Sequence, residues 1–174
     1  MTHTEIIETL RARLSMPGGR HLYGVLGTYR LLNAFSNQLT KAKATDGTPL
    51  PKPVSVNRGI LDTIPDDEFR KLVNDEAKRP EPTAAHVGAA FEQFIRSNLA
   101  GNGLLILRDF ELVFAYHLEL NLLRTLAADQ DRLLLLLPGK REHGATILFP
   151  DSDYGSYTLP TNLIAENNLW ELKN

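Results

Sequence analysis

The sequence of 174 residues contains no cysteine. That absence excludes disulfides, thiolate metal ligands and a cysteine nucleophile. Charge of one sign is not in excess either, since 19 Lys and Arg face 21 Asp and Glu for a net charge of −2. A broad basic field that would draw the chain to nucleic acid is therefore missing. Apolar runs are short: Leu133 to Leu137 falls far below the ~20 residues needed to span a bilayer, so no membrane association is expected. The first fifteen residues carry Glu5, Glu8, Arg11 and Arg13 on a helical pattern, which is no secretory signal. The expectation is a cytoplasmic protein. His3, His21, His86, His117 and His143 show neither HxH nor HxxxH spacing, so no metal site is expected. A Gly-x-Ser-x-Gly nucleophile elbow is also missing.

What is present, 43% apolar and 23% charged residues, describes one globular domain over residues 1–174. A chain of this size buries roughly 70% of its unfolded surface. Ile6, Ile7, Leu10 and Leu14 predict a first helix within residues 2–15, with Thr2 and Glu5 as a capping box. Leu22 to Leu26 reads as a strand, Gly27 as a turn, and Leu31, Leu32, Phe35 and Leu39 as one stripe of a helix from Thr28 to Ala42. Val54 to Asn57 predicts a strand. Asp66 to Lys78 predicts a charged helix with Phe69, Leu72 and Val73 inward, ended by Pro80 and Pro82. Ala84 to Leu99 has the cleanest apolar face, and Gly101-Asn102-Gly103 stops it. Leu104 to Leu107 and Leu133 to Leu137 are buried strands, the second closed by Pro138-Gly139, with a leucine-rich helix from about Ala115 to Ala128 between them. Ala145 to Phe149 and Asn162 to Glu166 are shorter apolar segments. Strands alternating with helices predict a three-layer α/β domain with a mainly parallel sheet, laid out like a P-loop NTPase.

Ligands of such sheets bind beyond the carboxyl ends of the strands. An intact phosphate loop reads GxxxxGK[ST] and holds phosphates with backbone amides and its lysine. Here the corresponding stretch is Gly24-Val25-Leu26-Gly27-Thr28-Tyr29-Arg30, which lacks the spacing and the lysine. At the end of the next buried strand, where a carboxylate should position magnesium, stands Arg108, followed by Asp109 and Glu111. These residues make up a vestigial nucleotide site, with no catalytic residue and no bound ATP or magnesium expected. Two alternatives stand beside that reading. One is a weak NTPase using Arg30 with Asp109 and Glu111, and the other a DNA-contacting module using Arg20, Arg30, Lys41, Lys43, Lys140 and Arg141. Lys140, Arg141, Tyr154, Tyr157 and Trp170 are candidate interface residues, since aromatics and basic turns serve contacts.

The stretches VSVNRGILDTIPDDEFR (54–70), GLLILRDFELVF (103–114), LNLLRTLA (120–127), LLLLLPGK (133–140) and ILFPDSDYGSYTLPTNLI (147–164) resemble BrxF, the small P-loop protein of type 3 BREX phage-defence systems. That family's strand ending is similar to aspartate-asparagine-x-glutamate; here Arg108 and Asp109 stand at the first two places and only Glu111 matches. Its glycine-lysine-threonine loop falls on Gly27 to Arg30 without the lysine. The resemblance implies an NTPase-like scaffold that has lost its charges for Mg-ATP. It also implies a non-catalytic subunit of an anti-phage assembly beside a PglZ-like partner.

Overall fold

The computed structural model describes residues 1–100, 103–152 and 155–173; Gly101, Asn102, Asp153, Tyr154 and Asn174 lie outside them. Helix α1 (His3–Leu14) opens with the expected capping box, the Thr2 side chain accepting from the Glu5 amide and the Glu5 carboxylate accepting from the Thr2 amide. Strand β1 (Leu22–Gly27) leads into α2 (Tyr29–Leu39). Then come β2 (Val54–Ser55), α3 (Val56–Thr63), α4 (Asp66–Asp75), α5 (Pro80–Leu99) and β3 (Leu104–Arg108). Two short helices follow, α6 (Glu111–Ala115) and α7 (Asn121–Leu126), then β4 (Arg132–Glu142), β5 (Ala145–Leu148), β6 (Tyr157–Thr158), a 3-10 turn at Glu166–Asn168 and β7 (Leu169–Glu171).

The sheet order is β2-β3-β4-β1-β7, with every neighbouring pair parallel, and β5 and β6 add an antiparallel flap to the far end of β4. Successive side chains of a strand point to opposite faces, and the aliphatic runs are sorted accordingly. Leu105, Leu107, Leu133, Leu135 and Leu137 join a core with Ile60 of α3, Phe91 of α5 and Leu123 of α7. Ile106, Leu134, Leu136, Tyr23 and Val25 face Leu10 of α1 and Phe35 of α2. The chain is thus the expected three-layer α/β domain with a mainly parallel sheet. No helix among the described residues is long and apolar enough to cross a membrane.

Several local expectations are corrected. Only Val54 and Ser55 are strand; the Ser55 side chain caps α3, so Asn57 is helical. The helix from Asp66 ends before Pro80 as expected, but Pro80 and Pro82 lie inside α5, which starts at Pro80 and not at Ala84, because the first turn has amides without intrahelical partners and proline loses nothing there. Phe69 and Val73 do not face inward; they are 41% and 55% exposed. The leucine-rich helix is two short ones, interrupted at His117, whose φ is +50°. Pro138-Gly139 does not close β4, which runs on into the flap because a glycine lets Ile147 O approach to 2.6 Å from where a Cβ would stand. Finally, the edge strand β7 at Leu169–Glu171 falls on a stretch for which the sequence predicts no element, and the apolar segment 162–166 holds no strand.

Candidate functional site

Because β1 to β4 run parallel, their carboxyl ends meet at one edge of the sheet. Gly27 is in register with Pro138 and Leu107 with Leu135. One cleft there is lined by Tyr29, Asn33 and Ser36 of α2, by Arg108 and Asp109, and by Pro138.

The turn from β1 into α2 is a single residue. Thr28 is extended, and its hydroxyl caps the helix by accepting from the Leu31 amide at 3.3 Å. Gly24 and Gly27 are strand residues, and neither adopts a positive φ. Their lack of a side chain serves packing: a Cβ on Gly24 would lie 2.6 Å from Leu169 Cδ1, and one on Gly27 3.3 Å from Leu172 Cδ1. The space that a phosphate loop would occupy has no loop.

Tyr29, the first residue of α2, reaches across the edge. Its hydroxyl donates to Glu111 Oε1 at 2.6 Å, and Asn57 Nδ2 donates to the other oxygen, Oε2, at 2.7 Å. Asn57 Oδ1 accepts from the Leu112 amide at 3.0 Å and the Asn57 amide donates to Asp109 O at 3.0 Å. A single asparagine at the start of α3 therefore fastens the β3–α6 turn and caps α6. Asp109 holds a left-handed φ of +59°, a conformation that aspartate tolerates better than most residues. Its carboxylate is turned back onto Arg108 Nε, at 3.0 and 3.2 Å. Burial of the hydroxyl, then its bond to Glu111, pushes the Tyr29 phenol well above its ordinary range, even though half of the side chain is exposed.

No protein-family model, curated protein or solved structure matches the chain. The site must be judged on its own geometry. Tyr29, Arg108, Asp109 and Glu111 are brought together, with Thr28 at the base. Arg30 is exposed, and its side chain makes no hydrogen bond or ion pair among the described residues. The cleft offers only about 20 Å³ to water-sized spheres, room for about one water, whereas ligand pockets run to roughly 300 Å³ and more. Arg108 pairs with Asp109, and each Glu111 oxygen accepts one hydrogen bond, so the charged groups at this edge are engaged with one another. Among the described residues no three His, Asp or Glu side chains cluster about a common point. Sequence reasoning missed Asn57; its one signal was an amide side chain directly behind a strand at the sheet's carboxyl edge.

Four of the interface candidates make contacts within the chain. Trp170 is buried and stacks on Tyr23 with ring centres 5.8 Å apart. Tyr157 is partly buried against Phe114 and Phe149. Arg141 Nη2 donates to Leu169 O at 2.7 Å and Glu166 O at 3.3 Å, closing the outer edge of β7. Lys140 pairs with Glu142 at 3.2 Å. Tyr154 lies outside the described residues.

Proposed function

We propose that the protein is a non-catalytic, P-loop-like pseudo-NTPase subunit, acting in the cytoplasm by binding protein partners in a bacterial anti-phage defence assembly, a PglZ-like protein among them. The defence setting rests on the resemblance of the strand and turn sequences to BrxF. The non-catalytic character rests on one observation: Tyr29 and Asn57 together occupy the Glu111 carboxylate at the end of the central sheet. A water-activating glutamate must point an oxygen at the nucleophile; here Tyr29 and Asn57 each take one lone pair and fix the carboxylate's orientation toward α2 and α3, which supports the reading.

A thermal melt with millimolar Mg-ATP, Mg-ADP or Mg-GTP tests the reading, together with an assay of ADP release. No shift and no turnover are expected. A ligand at a hundred times its dissociation constant stabilises by about 2.7 kcal/mol, which for a domain of this size raises Tm by roughly 5 to 10 °C. Such a shift with turnover would sink the proposal and favour the weak NTPase, in which Arg30, the exposed cation beside the cleft, contacts phosphate. Retention of phage resistance after deletion of the gene would remove the defence role. The DNA-contacting alternative has less support. Arg20 precedes β1 and Arg30 follows it, at opposite ends of the sheet, and Lys140 and Arg141 are already paired.

A further inference from the structure

At the amino edge of the sheet, two connections run side by side. Gly18 and Gly19, at φ of +73° and +95°, carry the chain from α1 to Arg20, which bridges Ala128 just after α7. The His21 amide donates to Ala127 O at 2.9 Å and the Asp129 amide to Gly19 O at 3.3 Å, so the loop before β1 and the end of α7 are tied backbone to backbone. Beside this tie lies a hollow of about 490 Å³, lined by Arg20, Asn121, Arg124, Thr125 and Ala128. Asn121, Arg124 and Thr125 stand at i, i+3 and i+4 and so share one face of α7.

The lining holds two cations and no carboxylate. Neither the Arg20 nor the Arg124 side chain makes a hydrogen bond or ion pair among the described residues. By contrast Arg11, Arg58, Arg96, Arg108 and Arg141 each have an acidic partner. The Asn121 side-chain amide is likewise unbonded, whereas the Thr125 hydroxyl donates to Asn121 O at 3.1 Å and steadies the turn.

We infer that this hollow binds a small phosphate monoester, held by the Arg20 and Arg124 guanidiniums with Asn121 as a further donor. Guanidinium forks match phosphate oxygens two by two. A monoester carries about −1.5 to −2 charges at pH 7, close to the sum of two arginines. The hollow is larger than one phosphate group needs and falls within the roughly 300 to 1,000 Å³ of small-molecule pockets, which leaves room for the organic part. The positive charge is local. Asp129 and Asp131 stand in the turn that follows Ala128, so a nucleic-acid strand running past would meet like charge. The Tyr29–Glu111 cleft lies at the other end of the sheet, and phosphate binding here is independent of the pseudo-NTPase reading.

The test is an NMR titration of the full chain with inorganic phosphate, glycerol 3-phosphate and dimethyl phosphate, at ionic strength held constant with sodium chloride. Glycerol 3-phosphate should move the Arg20 and Arg124 Nε–H signals and the Asn121 side-chain amide along a saturating curve. It should bind at least as tightly as inorganic phosphate, and ~10-fold or more tighter than the singly charged diester, which gives up a charge-assisted bond. Arg20→Gln and Arg124→Gln should each weaken it ~10-fold or more for the same reason. Arg70→Gln, which removes the same charge from α4, should leave it unchanged. Melts of the ligand-free variants check their folding, and the comparison of the three probes on the wild-type chain needs no variant. A drift without saturation, equal binding of monoester and diester, or an Arg70→Gln effect as large as the other two would overturn the inference. So would inorganic phosphate binding where glycerol 3-phosphate does not, which marks an ion site only, or a single-stranded oligonucleotide binding tighter than the monoester. A melting shift with Mg-ATP that Arg20→Gln and Arg124→Gln abolish would support phosphate binding in this hollow and leave the pseudo-NTPase reading standing.

Discussion

Replacing Asn57 by alanine should cost about 2 to 3 kcal/mol, for a side chain that is neither apolar nor in the core clusters. Two hydrogen bonds vanish together. The first is the Oδ1 acceptor of the Leu112 amide, at 3.0 Å, which works as a cap for α6 although it comes from a residue 55 positions earlier. Loss of a capping side chain costs ~1 kcal/mol. The second is the Nδ2 donor to Glu111 at 2.7 Å; a bond to a charged group is worth roughly 1.5 to 3 kcal/mol, which partial exposure reduces toward the lower figure. The backbone bond from the Asn57 amide to Asp109 O survives the substitution. For a domain of this length the sum lowers Tm by roughly 4 to 12 °C, readable by calorimetry and by the urea midpoint. Asn57→Asp separates the two contributions. It keeps an acceptor for the Leu112 amide but sets a carboxylate where the donor to Glu111 stood. Repulsion between two close carboxylates is relieved when they share a proton, so this variant should be less stable at pH 7 than the wild type and recover most of the difference near pH 4, while the alanine variant should not. An alanine variant within about 0.5 kcal/mol of wild type, or an aspartate variant whose deficit ignores pH, would refute the assignment of Asn57 as the fastener of this turn.

Gly59→Ala should destabilise the protein even though alanine is the better helix former by ~1 kcal/mol, because its Cβ would stand 2.2 Å from the Phe94 ring and overpacking of that kind costs roughly 1 to 3 kcal/mol; a rise in the urea midpoint would contradict this. Stability should fall as pH rises beyond about 10, since Tyr29 and Tyr116 both have phenols raised by burial and by their carboxylate partners, Tyr116 to about 12. A group favoured neutral in the fold contributes fully below its unfolded pKa and loses that contribution as pH climbs toward its folded one, so a Tyr29→Phe, Tyr116→Phe double variant should show a flatter alkaline decline in melts. Trp170→Ala should cost about 3 to 5 kcal/mol, as removal of a buried ring stacked on Tyr23 implies, and a surface-like loss under about 1 kcal/mol would return Trp170 to the interface candidates. Arg141→Ala should speed amide hydrogen exchange in β7 without touching exchange in β3, because its guanidinium closes the β7 edge at Leu169 O.

The sheet was legible where burial is complete. Leu104 to Leu107 and Leu133 to Leu137 are apolar at every position because both of their faces are covered, and no other element of this size tolerates such a run. β2 was legible in place but not in extent, Val54 and Ser55 being strand and Val56 and Asn57 already helical, and β7 was not legible; a strand of two or three residues has no period, and its bounds come from the partner beside it. Helix α4 misled in the opposite way. Its spacing of Phe69, Leu72 and Val73 is a proper apolar stripe, yet only Leu72 packs against the core while Phe69 and Val73 stay exposed, and sequence carries no record of how much of a stripe is covered. The site was half legible. Arg108, Asp109 and Glu111 could be placed at a strand end from their order alone, whereas the Tyr29–Glu111 bond joins residues 82 apart and depends on β1 and β3 both flanking β4, which only the strand order reveals.

That strand order also explains why the two departures from a nucleotide site belong together. With β1 and β3 on either side of β4, a one-residue turn after β1 brings the first side chain of α2 up to the end of β3, where a long loop would have held it away. A tyrosine there is long enough to reach Glu111, and Asp109 pairs with the adjacent Arg108. Any anion entering the cleft would compete with Asp109 for Arg108, and any cation would share Glu111 with Tyr29 and Asn57. A ligand shifts such an arrangement only by its differential affinity for the form it favours, so the cost of rearranging these contacts is set against every ion that binds at this edge of the sheet.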